Sequence, residues 1–113
     1  MVVSEVIERL DLDVLAQGAD RPVTGGYVAD LLSDVIANAA EGDVWITVQQ
    51  HLNIIAVAQL KKVAAILLPA GSKPAQSAID RAGAEGIPLL LGKVGAFELC
   101  GRLHALLQKP NEP

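Results

Sequence analysis

A chain of 113 residues that is 51% hydrophobic and only 19% charged is sized for one domain, and a domain this small buries only about two-thirds of the surface its unfolded chain exposes. Its net charge of −4 excludes non-specific nucleic-acid binding, which needs clustered Lys and Arg against the phosphates. With a mean hydropathy of +0.39, apolar surface is left outside the core, and a second copy of the chain is the simplest cover for it.

Ser4 opens a short helix to Leu10 as its cap, with Glu5 in the first turn favouring the helix dipole. Asp13 to Gln17 reads as a strand and Gly18 to Pro22 as a turn. Val23 to Val28 is a second strand, made irregular by Gly25-Gly26, and Leu31 to Ala40 is a helix capped by Asp30 or Ser33 and stopped by Glu41-Gly42. From there the pattern becomes regular. Val44–Val48, Val63–Leu68 and Ile87–Leu91 are apolar runs, each followed by a helix: Asn53–Lys62, Pro74–Ala84 and Gly95–Leu107. Three strand–helix units of roughly twenty residues predict a parallel sheet with right-handed crossovers, and continuous apolar runs predict burial on both faces. The fold class expected is α/β, a compact three-layer domain over residues 1–108 with a mainly parallel sheet, its strand–helix units in the C-terminal two-thirds and a disordered tail at 109–113.

The last helix carries an apolar stripe of Ala96, Leu99, Cys100, Leu103, Leu106 and Leu107 at helical spacing. Cys100 lies within it and reads as a packing thiol; His104 falls beside Phe97 and Gly101 and reads as a surface residue. A single cysteine forms no internal disulfide and fits a reducing compartment. Glu5, Glu8 and Arg9 break up the first ten residues, so no signal peptide is expected. Gln49, Gln50, His51 and Asn53 interrupt the uncharged stretch 44–60, where polar groups are costly in lipid. A cytoplasmic protein that contacts neither membrane nor nucleic acid is the expectation. The three aromatic residues, Tyr27, Trp45 and Phe97, provide no platform for stacking bases.

In a parallel α/β sheet, ligands settle beyond the carboxyl ends of the strands. There the chain places Gln49, Gln50, His51 and Asn53, then Ser72 and Lys73 after Gly71, then Lys93 after Gly92. Helix N-termini and lysines on one edge suit a phosphate or carboxylate; against this stands the plain fact that every such fold has polar loops there. His51 has no second histidine, cysteine or acid beside it in sequence, so a metal site is not expected, and a general base needs an orienting partner. It is read either as a local hydrogen-bonding residue or as a ligand or subunit contact. Gly25-Gly26 lacks the Lys-Ser/Thr of a phosphate loop and the spacing of a dinucleotide fingerprint; positive φ or close backbone approach accounts for it. Asp30, Ser33 and Asp34 resemble a metal cluster but sit where caps sit. No catalytic residues, metal or cofactor are expected.

Asp20-Arg21, Thr24-Gly25-Gly26, Tyr27-Val28-Ala29-Asp30-Leu31-Leu32-Ser33-Asp34-Val35, Gly42-Asp43-Val44-Trp45-Ile46-Thr47, His51-Leu52-Asn53-Ile54-Ile55-Ala56-Val57-Ala58, Glu85-Gly86-Ile87-Pro88-Leu89-Leu90 and Ala96-Phe97-Glu98-Leu99 together resemble the DRTGG domain family, in particular its small stand-alone members. Pro22-Val23 separates Asp20-Arg21 from Thr24-Gly25-Gly26, so the name motif is not contiguous here and the resemblance gives Arg21 no fixed role. Similar domains are appended to CBS-domain pyrophosphatases, some phosphotransacetylases and cobyrinic acid diamide synthase-like proteins, and are similar to the N-terminal domain of HPr kinase/phosphorylase. The resemblance implies a non-catalytic regulatory and dimerising module, a homodimer acting with a partner protein in a regulatory or redox setting. Kinase activity does not carry over, because the phosphate loop is missing. The alternative is a sensor of a small anion or adenine nucleotide at the carboxyl ends of the strands.

Overall fold

The computed structural model describes residues 1–108; the tail expected at 109–113 lies outside the described residues. Five helices and five strands follow one another as α1 (Val3–Leu10), β1 (Asp13–Ala16), β2 (Gly25–Val28), α2 (Leu32–Asn38), β3 (Asp43–Ile46), α3 (Asn53–Lys61), β4 (Ala65–Leu68), α4 (Gln76–Glu85), β5 (Leu89–Leu91) and α5 (Ala96–Gln108). The sheet order is β1-β5-β4-β3-β2. Strands β2 to β5 are parallel, and β1 closes the far edge antiparallel to β5 with a bulge at Leu15. The fold is α/β and mainly parallel, as the apolar runs predict.

Strand alternation divides the core in two. Val44, Ile46, Ala65, Leu67 and Leu90 face α1 and α5. Trp45, Ile66, Leu68 and Leu89 face α2, α3 and α4. Helices joining adjacent parallel strands by crossovers of one hand fall on one face, which leaves the other to α1 and α5. Each fully buried Ile or Leu contributes about 1.5–3 kcal/mol. An exposed pair such as Arg81–Glu85 (3.0 Å) gives at most about 1 kcal/mol, so the double burial of β3, β4 and β5 holds the domain. The indole N–H of Trp45 donates to the Ala29 carbonyl at 2.9 Å, which satisfies the polar atom of the largest buried side chain.

Local capping departs from the expectation at two helices. Ser4 is not the cap of α1: the cap lies two residues earlier, at Val2. The Ser4 N–H and hydroxyl instead donate to the Asp20 carboxylate at 2.8 and 2.9 Å. Neither Asp30 nor Ser33 caps α2, whose N-cap is Leu31 with no side-chain hydrogen bond. Asp30 accepts from the Thr47 hydroxyl (3.0 Å) and the Val48 N–H (2.9 Å), tying the end of β2 to the end of β3. The observed strands are also shorter than the apolar runs, because Val23, Val63, Ala64 and Ile87 are buried in the core without sheet pairing.

Asp34 accepts from the Tyr27 hydroxyl at 2.6 Å and from the Asn38 amide at 2.7 Å. The Tyr27 bond, then the Asn38 bond, holds its carboxyl below the ordinary value of 3.8, while the same bond to the carboxylate raises the phenol. A carboxyl depressed in the folded state stabilises above the unfolded pKa, about 4, and that contribution is lost as pH falls through the folded value. In thermal unfolding followed by circular dichroism, Asp34→Asn is therefore expected to melt below the wild type at pH 6, with the gap narrowing at pH 3. A gap that stays constant across that range would contradict this role.

Candidate functional site

Consecutive strands β1 and β2 lie at opposite edges of the sheet. Residues 17–24 must therefore cross its whole width, four strand spacings or about 19 Å, which eight residues span at roughly 3.3 Å each. They run along the amino ends of the parallel strands, fastened at each one. The Ala19 N–H donates to Gly86 O (3.0 Å) before β5, Arg21 Nη1 to Val63 O (3.3 Å) before β4, and the Thr24 N–H to Gly42 O (3.0 Å) before β3. On the outer side the Val3 N–H donates to Arg21 O (3.1 Å), the Val23 N–H to Met1 O (2.8 Å), and Asp20 holds the first turn of α1.

This crossing gives the motif residues their work. The Thr24 hydroxyl donates to Glu41 O at 3.3 Å and packs on Gly42, whose φ of +88° leaves no room or favourable backbone for a side chain. Gly25 and Gly26 have no positive φ; they permit close approach. A Cβ at Gly25 would lie 2.7 Å from Asp43 Oδ1, and one at Gly26 3.2 Å from Leu103 of α5. The glycine pair thus lets β2 lie under α5 and beside the 40–43 turn.

Beside the crossing segment lies a half-open cleft of about 650 Å³, lined among others by Arg21 and Glu85, which are half-buried, and by Thr24, Glu41, Gln59 and Lys62, which are exposed. Glu85 accepts from Gln59 (2.9 Å) and pairs with Arg81 (3.0 Å). Lys62 follows α3 with φ +55°, a left-handed conformation that costs a non-glycine residue roughly 1–2 kcal/mol. Of these residues the sequence singles out Arg21, Thr24 and Glu85 as parts of family segments and Glu41 as a helix stop, none of them as a ligand-binding residue. The cavity itself becomes visible only when β1 and β2 are known to lie at opposite edges.

The opposite edge holds the strand-end residues. Gln49 donates to Asp30 O at 2.9 Å, and its N–H donates to the Thr47 hydroxyl at 3.2 Å. Gln50 Oε1 accepts the Lys73 N–H at 2.7 Å, and Gln50 O accepts the Ala75 N–H at 3.2 Å. His51 Nδ1 accepts the Asn53 N–H at 3.1 Å, at the first turn of α3. The Ser72 N–H closes a turn onto Pro69 O. Lys93 pairs with Asp11 at 2.9 Å and lies 3.8 Å from Asp13; the bond to Asp11 raises its ammonium above the ordinary value. The polar groups here are used mainly on one another, and Lys73 alone of the two edge lysines has no ion pair among the described residues. The apolar groups are not. Phe97 is 95% exposed, Leu31 68%, Val28 56% and Val48 49%, all at or beside the carboxyl ends of the strands. Cys100 is half-buried, and burial pushes its thiol up. Among the described residues no three His, Cys, Asp or Glu gather as metal ligands, and no helix is long and apolar enough to cross a membrane.

No protein-family model matches the sequence, and no curated protein matches it. Its fold is similar to that of a solved structure from Clostridium perfringens, the CBS and DRTGG domains of the regulatory region of a pyrophosphatase complexed with its activator diadenosine tetraphosphate. The TM-score is 0.67 at 15% identity, and the match covers 89% of this chain and 45% of that one. The chain thus spans less than half the length of the structure it matches, and its fold is DRTGG-like.

Glycine takes the Lys62 conformation without strain but adds freedom to the unfolded chain. In urea denaturation Lys62→Gly is expected to leave stability unchanged or raise it by at most about 1 kcal/mol. A clear loss would mean that the lysine holds the fold.

Proposed function

We propose that this chain is a regulatory module without catalysis of its own, working as a homodimer with a partner protein. The likeness in fold to a regulatory region supports the regulatory part. The observation that carries the association is the apolar carboxyl edge, where Phe97, Leu31, Val28 and Val48 stand in solvent beside polar groups already engaged with one another. Edge strand β2 ends there at Val28, and among the described residues no strand pairs with its outer side; an exposed strand edge invites pairing or cover. A specific interface needs on the order of 800 Å² from each partner, and an aromatic anchor such as Phe97 is the residue type that dominates such contacts. A reducing cytoplasmic setting with a redox partner is consistent with this reading and with the lone Cys100.

A second reading is a sensor of a small anion or adenine nucleotide at the same carboxyl edge, built on Gln49, Gln50, His51, Asn53, Ser72, Lys73 and Lys93. One observation favours it: the unpaired Lys73 stands next to the start of α4, where backbone N–H groups and dipole suit an anion. Lys93 would first have to leave Asp11.

In light scattering at micromolar concentration the wild type is expected to show twice the 11.8 kDa protomer mass. Phe97→Asp combined with Val48→Asp is expected to give one protomer mass with the far-ultraviolet circular dichroism spectrum of the folded wild type, since both side chains are exposed. A wild-type mass of one protomer would contradict the proposal.

A further inference from the structure

We propose that the amino-edge cavity binds a small zwitterion of amino-acid type, its carboxylate held by Arg21 and Lys62 and its ammonium by Glu41. This goes beyond the regulatory reading and does not depend on it, because it concerns the opposite edge of the sheet. At about 650 Å³ the cavity falls within the range of small-molecule sites and is far larger than one inorganic ion needs. Pro22, Ala64 and the aliphatic stems of Gln59 and Lys62 line it as well, so the occupant has an organic body.

The charges select its ends. Arg21 is positioned by one hydrogen bond from Nη1 to Val63 O, which leaves the other donors of a five-donor planar fork for a carboxylate. Lys62 keeps a second cation at the cavity in a backbone conformation that glycine would adopt more readily. Glu85 is paired with Arg81 and accepts a hydrogen bond from Gln59, whereas the Glu41 carboxylate has no ion pair among the described residues. The C-terminal ends of α3 and α4 also close on this cavity, at Lys62 and Glu85. Helix C-termini carry partial negative charge: they favour the ammonium and oppose any anion, a doubly charged phosphate ester more than a single carboxylate, which is why the carboxylate needs both Arg21 and Lys62. Two cations, one free carboxylate and two helix C-termini fit one negative and one positive group on the same molecule.

The test is thermal unfolding of the full chain with each of the twenty proteinogenic amino acids at 10 mM, alongside AMP and inorganic phosphate. At least one amino acid is expected to raise the melting temperature, the rise growing with the logarithm of its concentration. Its decarboxylated amine and its deaminated acid are expected to give no rise. Lys62→Gly, chosen because it keeps the fold where Arg21→Ala could lose it, is expected to abolish the shift and to leave the mass in light scattering unchanged. Lys73→Ala is expected to retain the shift. The proposal is overturned if no amino acid raises the melting temperature, if the shift survives Lys62→Gly, or if the deaminated acid acts as well as its parent. It is equally overturned if the shift is lost in Lys73→Ala, which would move binding to the carboxyl edge.

Discussion

Two strands that follow each other in the chain, β1 and β2, pair at opposite edges of one sheet, and the segment between them has to reach from one edge to the other. Much of the molecule's organisation follows from that constraint. The segment fastens to the loop before β5, then to that before β4, then to that before β3, so the amino ends of the parallel strands are bound together by one stretch of chain. Its outer side is held by α1, through the Asp20 carboxylate on Ser4 and backbone bonds from Val3 and Val23. A carboxylate at a helix N-terminus satisfies donors the helix cannot satisfy itself and lies at the positive end of its dipole. One ion thus serves two ends: it starts α1 and anchors the crossing.

The crossing also makes the two edges of the sheet chemically unlike. At the carboxyl edge Asp30, Gln49, Gln50 and His51 satisfy neighbouring backbone and side-chain groups, and apart from Lys73 the exposed groups left over are mainly apolar. At the amino edge the crossing segment lines one side of a half-open cleft whose charged groups are only partly paired. Exposed Phe97, Leu31 and Val28 beside polar groups that satisfy one another suit contact with a protein surface. An open cavity with Arg21, Lys62 and Glu41 suits a small molecule. This division underlies both proposals and keeps them separable.

What was legible in the sequence was set by physics acting along the chain. Val44–Val48, Val63–Leu68 and Ile87–Leu91 announce themselves because strands buried on two faces are apolar throughout, and the helices between them because their stops and lysines are local. The boundaries shifted by a residue or two where buried side chains such as Val63 and Ile87 continue the apolar run without pairing in the sheet. Ser4 looked like a cap because capping is usually local, yet its partner Asp20 lies 16 residues away. Gly25-Gly26 was readable as close approach or positive φ, and only contact with Asp43 and Leu103 selects the first. The strand-end rule located Gln49 to Asn53 on the carboxyl edge, but hydrogen bonds reaching 19 or 23 residues along the chain, such as Gln49 to Asp30 and Lys73 to Gln50, carry no local signature. The amino-edge cavity was beyond reach for the same reason: Arg21, Glu41, Lys62 and Glu85 come together only through the order of strands in the sheet.

The central claim is that the crossing segment is fastened as a unit through Asp20, and amide hydrogen exchange on Asp20→Ala tests it most directly. Loss of a capping carboxylate weakens a helix start by about 0.5–2 kcal/mol, or roughly 2- to 30-fold in exchange protection. The account predicts that the amides of Ser4, Val23 and Thr24 lose protection together by that factor, while those of β3, β4 and β5 keep theirs. Protection lost at Ser4 alone, or lost evenly across the sheet, would contradict it.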